Sequence, residues 1–149
     1  MSNETDSFLR EILSSVKTIA MVGASDKEGR PSYGVFEFLL SHGYHVVGVN
    51  PKLAGKSVHG TVFYGSLTEV PEPIDMVEIF RRSEAAGEAV DAALALDPKP
   101  KIIWMQLGVH DEAAAARARA LGVRVVMNRC PAIEIRRLAI PNSRTPASN

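Results

Sequence analysis

The sequence predicts an α/β fold of three layers, a doubly wound parallel sheet with helices on both faces. Three observations carry that expectation. Five short runs rich in Val, Ile and Met recur along the 149 residues. Three of these runs are nearly continuous in apolar character, which suits parallel strands covered on both faces. The segments between them mostly show helical spacing, and strand alternating with helix gives an open sheet with right-handed crossovers.

The first element is a helix over 7–16, where Phe8, Leu9, Ile12, Leu13 and Val16 fall at helical spacing. The strands are expected over 18–23 (TIAMVG), 44–50 (YHVVGVN), 75–80 (DMVEIF), 101–106 (KIIWMQ) and 123–128 (VRVVMN). Between the first two lies a helix over 32–41, with Val35, Phe36, Leu39 and Leu40 on one stripe. An Ala-rich helix carrying Val90 and Leu94 spans 83–96. The helix over 111–121 opens on Asp111 and Glu112 and carries Arg117 and Arg119 later, as the helix dipole favours. Gly122 stands where its stop is expected. A last helix over 131–138 accepts Pro131 in its first turn. The link over 51–74 is the exception: Gly55, Gly60, Gly65, Pro71 and Pro73 leave no helical stripe, and a short extra strand is expected near 61–64.

The composition is that of an ordinary globular chain, 46% apolar and 23% charged. The length favours one domain, expected over 1–140. The tail over 141–149 (PNSRTPASN) has no large apolar residue and is expected to be disordered. Lys+Arg and Asp+Glu both number 17, so affinity for nucleic acid or an anionic membrane, which rests on excess positive charge, is not expected. A single cysteine, Cys130, excludes an internal disulfide and a Cys-rich zinc site and fits a reducing compartment. Residues 1–6 are polar and acidic, and no apolar run reaches the ~18 residues of a membrane span. The expectation is a soluble cytoplasmic protein, a monomer or weak homodimer.

The zero net charge hides an uneven distribution. In such a sheet, ligands bind beyond the carboxyl ends of the strands. Strand one is followed by Gly23, Ala24 and Ser25, with Lys27 and Arg30 close behind; strand two by Asn50, Pro51 and Lys52; strand three by Arg81 and Arg82; strand five by Arg129 and Cys130. Strand four ends in Gln106, Leu107 and Gly108. Many carboxylates fall on the helices instead: Glu11, Glu37, Glu84, Glu88, Asp91 and Glu112. Cations along one sheet edge imply a crevice for an anionic ligand with several phosphates. Charge-assisted hydrogen bonds contribute about 1.5–3 kcal/mol each, enough for three or four to give micromolar affinity.

The turn at 23–25 leaves a strand and leads toward a helix, a position where backbone N–H groups and the helix dipole favour an anion. It is not the full dinucleotide fingerprint, since G-x-G-x-x-G needs glycine where Ser25 and Glu28 stand, and the acid that holds NAD ribose hydroxyls is replaced by Asn50. The stretch Gly55-Lys56-Ser57 lacks the earlier glycine of a P-loop, because position 50 is Asn.

Five stretches together resemble a known family: VGASDKEGRPSYGVFEFLLSHGYHV from Val22, VNPK from Val49, GSLTEVPEPIDMVEIFRR from Gly65, IIWMQLGV from Ile102 and VVMNRCPAIEIRRL from Val125. The chain is similar, over roughly 7–138, to the small stand-alone CoA-binding-domain proteins, and through them to the CoA-binding half of the succinyl-CoA ligase alpha subunit. The resemblance implies a Rossmann-like sheet of order 3-2-1-4-5 with coenzyme A, or an acyl-CoA, lying across the strand ends. It implies that Gly23, Ala24 and Ser25 cradle phosphate and that Arg30 adds a phosphate or adenine contact. Asn50, Pro51 and Lys52 would line the wall beyond strand two. Phe80, Arg81 and Arg82 would supply a stacking face and charge, Gln106 and Gly108 the pantetheine side, and Arg129 and Cys130 the last edge. The phosphorylated histidine of the ligase lies in a domain this chain lacks, so ligase activity does not carry over. The expected function is CoA binding without turnover; the alternative is an enzyme using NAD(P) or another adenine nucleotide.

No catalytic residue and no metal site is expected. His42, His45, His59 and His110 show no metal-ligand spacing, and His110 is read as a surface or capping residue rather than a catalyst. Trp104 and Met105 are read as core. Cys130 admits two readings, an inert half-buried cysteine or a thiol activated by Arg129 and a helix start and able to exchange with the CoA thiol.

Overall fold

The computed structural model describes residues 4–142. Helix α1 (Asp6–Ser15) buries Leu9, Ile12 and Leu13 and is capped by Thr5, whose hydroxyl accepts from the Phe8 N–H at 3.1 Å. Strand β1 (Thr18–Val22) follows, then α2 (Pro31–Ser41) and β2 (His45–Val49). The link holds a short hairpin, β3 (Ser57–Val58) and β4 (Thr61–Val62), between two single 3-10 turns. The remaining elements are β5 (Met76–Ile79), α3 (Ser83–Leu94), β6 (Ile102–Met105), α4 (Glu112–Ala120), β7 (Arg124–Val126) and α5 (Pro131–Arg137).

The main strands are buried along nearly their whole length, as their continuous apolar runs require. Side chains alternate between two faces. Ala20, Val47, Val77 and Ile103 pack against Ala86, Val90, Ala114 and Ala118 of α3 and α4. Ile19, Met21, Met76 and Trp104 pack against Leu9, Phe36, Leu39 and Ile135 of α1, α2 and α5. The result is the expected three layers, with Trp104 and Met105 both fully buried.

The five main strands are parallel, in the order β2-β1-β5-β6-β7. In succession that is 2-1-3-4-5, and it corrects the expected 3-2-1-4-5. The physical reason lies at Tyr64. Its N–H donates to Gly48 O and its carbonyl accepts from the Asn50 N–H, both at 2.9 Å, forming a parallel bridge on the outer edge of β2. Phe63 covers Gly48 so closely that a Cβ there would lie 2.4 Å from the ring. The place beside β2 is therefore held by a one-residue bridge, and the third main strand crosses to the far side of β1. The extra strand expected near 61–64 is present as β4, paired with β3 rather than with the main sheet.

Of the tail expected over 141–149, Pro141 and Asn142 are described, and the Asn142 amide donates to Ser41 O at 2.8 Å. The rest lies outside the described residues. Because the chain passes from β1 outward to β2 and then crosses back to β5 on the other side of β1, a crevice opens beyond the carboxyl ends of these three strands.

Candidate functional site

That crevice is a cleft of about 600 Å³. Its floor and walls come from Gly23 after β1, Asn50, Pro51 and Lys52 after β2, and Phe80, Arg81 and Arg82 after β5. The link adds Gly65, Ser66 and Leu67, and α3 adds Glu88, Ala89 and Ala92.

Gly23 makes the close approach possible. Its φ is +88°, and a Cβ built on it would lie 2.2 Å from Phe80 O. Its N–H donates to Val49 O at 2.9 Å, and the Phe80 N–H donates to Val22 O at 2.8 Å, so the three strand ends are drawn together at this point. Asn50 locks two loops at once: its amide donates to Ala24 O at 2.9 Å and its side-chain oxygen accepts from the Lys52 N–H at 3.0 Å. Ser25 turns the first loop, its N–H donating to Ser32 Oγ at 3.2 Å and its hydroxyl accepting from the Lys27 N–H at 3.0 Å. Ala24 is buried, Arg30 is exposed at the residue before α2, and neither of them nor Ser25 is among the residues that line the cleft.

The cations near the cleft differ from several others in their partners. Lys101, Arg117, Arg124 and Arg137 each reach a carboxylate, at 3.7, 3.0, 3.1 and 2.8 Å. Among the described residues, the side chains of Lys52, Arg81 and Arg82 make no ion pair and no hydrogen bond. Three unneutralised cations converge on one cleft.

The β6–β7 side differs from expectation. Gln106 is buried, and among the described residues its Oε1 has no hydrogen-bond partner. Gly108, at φ +88°, donates its N–H to Asn128 Oδ1 at 2.7 Å. Arg129 does not present its charge at the strand edge. Its Nε donates to Glu4 Oε1 at 2.8 Å, with Glu134 at 3.6 Å, and Glu4 also accepts from the Met127 N–H. Glu4 lies 125 positions away in sequence, so adjacency along the chain does not report this pairing. Cys130 is buried at the residue before α5. Neither Arg129 nor Cys130, nor Gln106 or Gly108, lines the cleft at β1, β2 and β5.

Sequence reasoning missed Gly65, Ser66, Leu67 and Glu88. The sequence groups Glu88 with the acids on helices, away from the strand edge, yet α3 brings it into the cleft. Glu78, in the middle of β5, is fully buried beside Met21 and Trp104 in register, and burial pushes its carboxyl well above the usual range. The histidines lie elsewhere: His42 Nε2 is 2.7 Å from Ile140 O, His45 3.1 Å from Glu72, His110 3.4 Å from Glu112, and His59 stacks on Phe36 and meets Tyr33 at a tilt. Among the described residues no group of His, Cys, Asp or Glu is arranged to hold a metal ion. Among them, too, no helix is long and apolar enough to cross a membrane.

A cationic cleft with a glycine floor, at the point where a doubly wound sheet reverses, is the arrangement of an α/β domain for a phosphate-bearing cofactor. The chain belongs to the CoA-binding domain family, whose model matches residues 17–136. An uncharacterised protein of Bacillus subtilis, YneT, is 34% identical over 130 residues, covering 87% of this chain and 93% of that one. The solved structure of a hypothetical protein from Pyrococcus horikoshii is 36% identical, with a TM-score of 0.85, covering 92% of this chain and 94% of that one. The alpha subunit of an ADP-forming acetate–CoA ligase from Pyrococcus furiosus is 34% identical over 73 residues, 46% of this chain but 16% of the subunit. The likeness read from the five motifs therefore holds at the level of the family.

Proposed function

We propose that this chain binds coenzyme A, free or acylated, across the carboxyl edge of its sheet, and acts by holding the ligand rather than by turning it over. The observation that carries the reading is the convergence of unpaired Lys52, Arg81 and Arg82 on a cleft floored by Gly23. The pyrophosphate lies against these cations and the turn at 23–25, with the Ser25 hydroxyl free to donate. Phe80 offers a ring to the ligand, and the pantetheine runs toward β6 on the side of Gln106 and Gly108, while Arg129, engaged by Glu4 and Glu134, and the buried Cys130 stand apart from it. The side chains with chemistry in the cleft are cations, a hydroxyl, an amide and one acid, a set that binds and orients an anion. The protein works in the cytoplasm, as a monomer or weak homodimer.

The test is a thermal-shift titration with CoA, acetyl-CoA, NAD, NADP, ATP and ADP. A ligand at 100 times its Kd stabilises by about 2.7 kcal/mol, which for a chain of this size raises Tm by roughly 5–10 °C. CoA and acetyl-CoA are expected to give the largest shifts. A shift with NAD and none with CoA overturns the proposal, and release of free CoA thiol from acetyl-CoA by the protein overturns its non-catalytic part.

A further inference from the structure

Glu88 is the one carboxylate among the residues lining the cleft, on the wall contributed by α3. It is exposed and, among the described residues, makes no hydrogen bond or ion pair, although Lys52, Arg81 and Arg82 line the same space. Two acids on the loops behave differently. Glu69 is engaged by its own loop, accepting from the Gly65 N–H at 3.1 Å and from Ser66 Oγ at 3.4 Å. Asp26 lies 4.0 Å from Lys56.

A free carboxylate in a cleft for phosphates opposes them by like-charge repulsion. It favours a ligand only where that ligand presents a donor, because an ionised carboxylate is acceptor-only. Phosphate oxygens are acceptors as well, so they do not complement it. The nucleoside part of an adenosine diphosphate unit does, through the exocyclic amine of the base or a ribose hydroxyl. Ala89 and Ala92 flank Glu88 on the same wall and end at Cβ, leaving room for a ring against the helix.

We infer that Glu88 reads a hydrogen-bond donor on the nucleoside, so that the cleft selects a nucleoside diphosphate unit over bare polyphosphate. The inference rests on the CoA reading and names the specificity determinant within it. A site built to hydrogen-bond a donor rejects the analogue that lacks it far more strongly than an apolar pocket rejects a missing methylene.

The test is calorimetric titration of the wild type, Glu88→Ala and Glu88→Gln with CoA, ADP, IDP, 2′-deoxy-ADP and inorganic pyrophosphate. Glu88→Ala is expected to weaken ADP and CoA by about tenfold, the loss of one charge-assisted hydrogen bond. Pyrophosphate affinity is expected to stay level or rise. Glu88→Gln keeps a carbonyl acceptor and restores part of the ADP affinity. The wild type is expected to discriminate against one analogue, IDP if the amine is read and 2′-deoxy-ADP if the hydroxyl is read, and Glu88→Ala to lose that discrimination. Equal tightening of ADP and pyrophosphate in both variants makes Glu88 a repulsive charge only and overturns the inference, as does unchanged ADP affinity. In either case CoA binding to the wild type stands as a separate result, and wild type that binds neither CoA nor ADP overturns both readings.

Discussion

Replacing Gly23 by Ala tests whether the close approach of β1 and β5 shapes the cleft. Two costs apply at this position. The φ of +88° puts an L residue in the left-handed region, a strain of about 1–2 kcal/mol. The new Cβ would lie 2.2 Å from Phe80 O and 3.0 Å from Arg81 Cδ. The first of these is a backbone atom of a residue whose N–H is tied to Val22 O at 2.8 Å, so relief requires the β5 exit to move, at about 1–3 kcal/mol. The sum is about 3 kcal/mol, or ~6–12 °C in Tm for a chain of this size. Two other glycines separate the terms. Gly108 has the same φ, +88°, and nothing within 4 Å of its Cβ, so Gly108→Ala carries the strain alone, about 1–2 kcal/mol. Gly29 has neither positive φ nor a neighbour within 4 Å, so Gly29→Ala is expected to be neutral or slightly stabilising, by up to ~1 kcal/mol. Scanning calorimetry of the three variants reads the order directly. Gly23→Ala melting level with or above Gly108→Ala refutes the close-packing argument, and undiminished CoA affinity in Gly23→Ala refutes the placement of the ligand on that turn.

Three further outcomes follow from the same geometry. The double variant Arg81→Ala with Arg82→Ala is expected to weaken CoA by at least about tenfold and to flatten its salt dependence, since charge-assisted contacts contribute about 1.5–3 kcal/mol each; unchanged affinity by calorimetry removes both residues from the site. Burial holds the Glu78 carboxyl protonated well above its ordinary 4.5, so the unfolded chain releases this proton at lower pH than the native one. Stability therefore falls as pH rises from about 4.5 toward the raised folded value, by up to ~1.4 kcal/mol per pH unit. Glu78→Gln should flatten that slope in denaturant melts across pH 4–9, and an unaltered slope would mean that Glu78 does not titrate as its burial requires. Cys130 is buried, and Arg129 beside it in sequence is engaged by Glu4 and Glu134, so incubation with oxidised CoA is expected to leave the intact mass unchanged. An adduct present in the wild type and absent in Cys130→Ser would instead place this thiol within reach of the ligand.

The elements were legible where one local signal decided them. Continuous apolar runs gave strands buried on both faces, and helical stripes gave their covers, with observed limits close to expectation. Strand order was not legible. It depends on which segment covers the edge of β2, and that is settled by Phe63 packing on Gly48 and by two backbone bonds at Tyr64, none of which leaves a periodic pattern. The site divides the same way. Gly23, Asn50, Lys52, Phe80, Arg81 and Arg82 follow strands directly, so placing the strands placed them. Glu88, Gly65 and Ser66 reach the cleft through the packing of α3 and the link, and no spacing within the sequence reports that. Arg129 shows the converse: adjacency to a strand end put it on the edge, while Glu4, 125 positions away, draws its guanidinium aside.

Asn50 occupies the place where an NAD-binding sheet carries an acid for the ribose, but here its amide nitrogen donates to Ala24 O. An aspartate at this position has no N–H to give and would set a negative oxygen against that carbonyl. The exchange that most simply recasts the cleft toward NAD would therefore also unfasten the first loop from the second. Cofactor choice and loop order are tied to one side chain, so a lineage changing this cofactor by substitution would first need another fastening for the loop at Ala24.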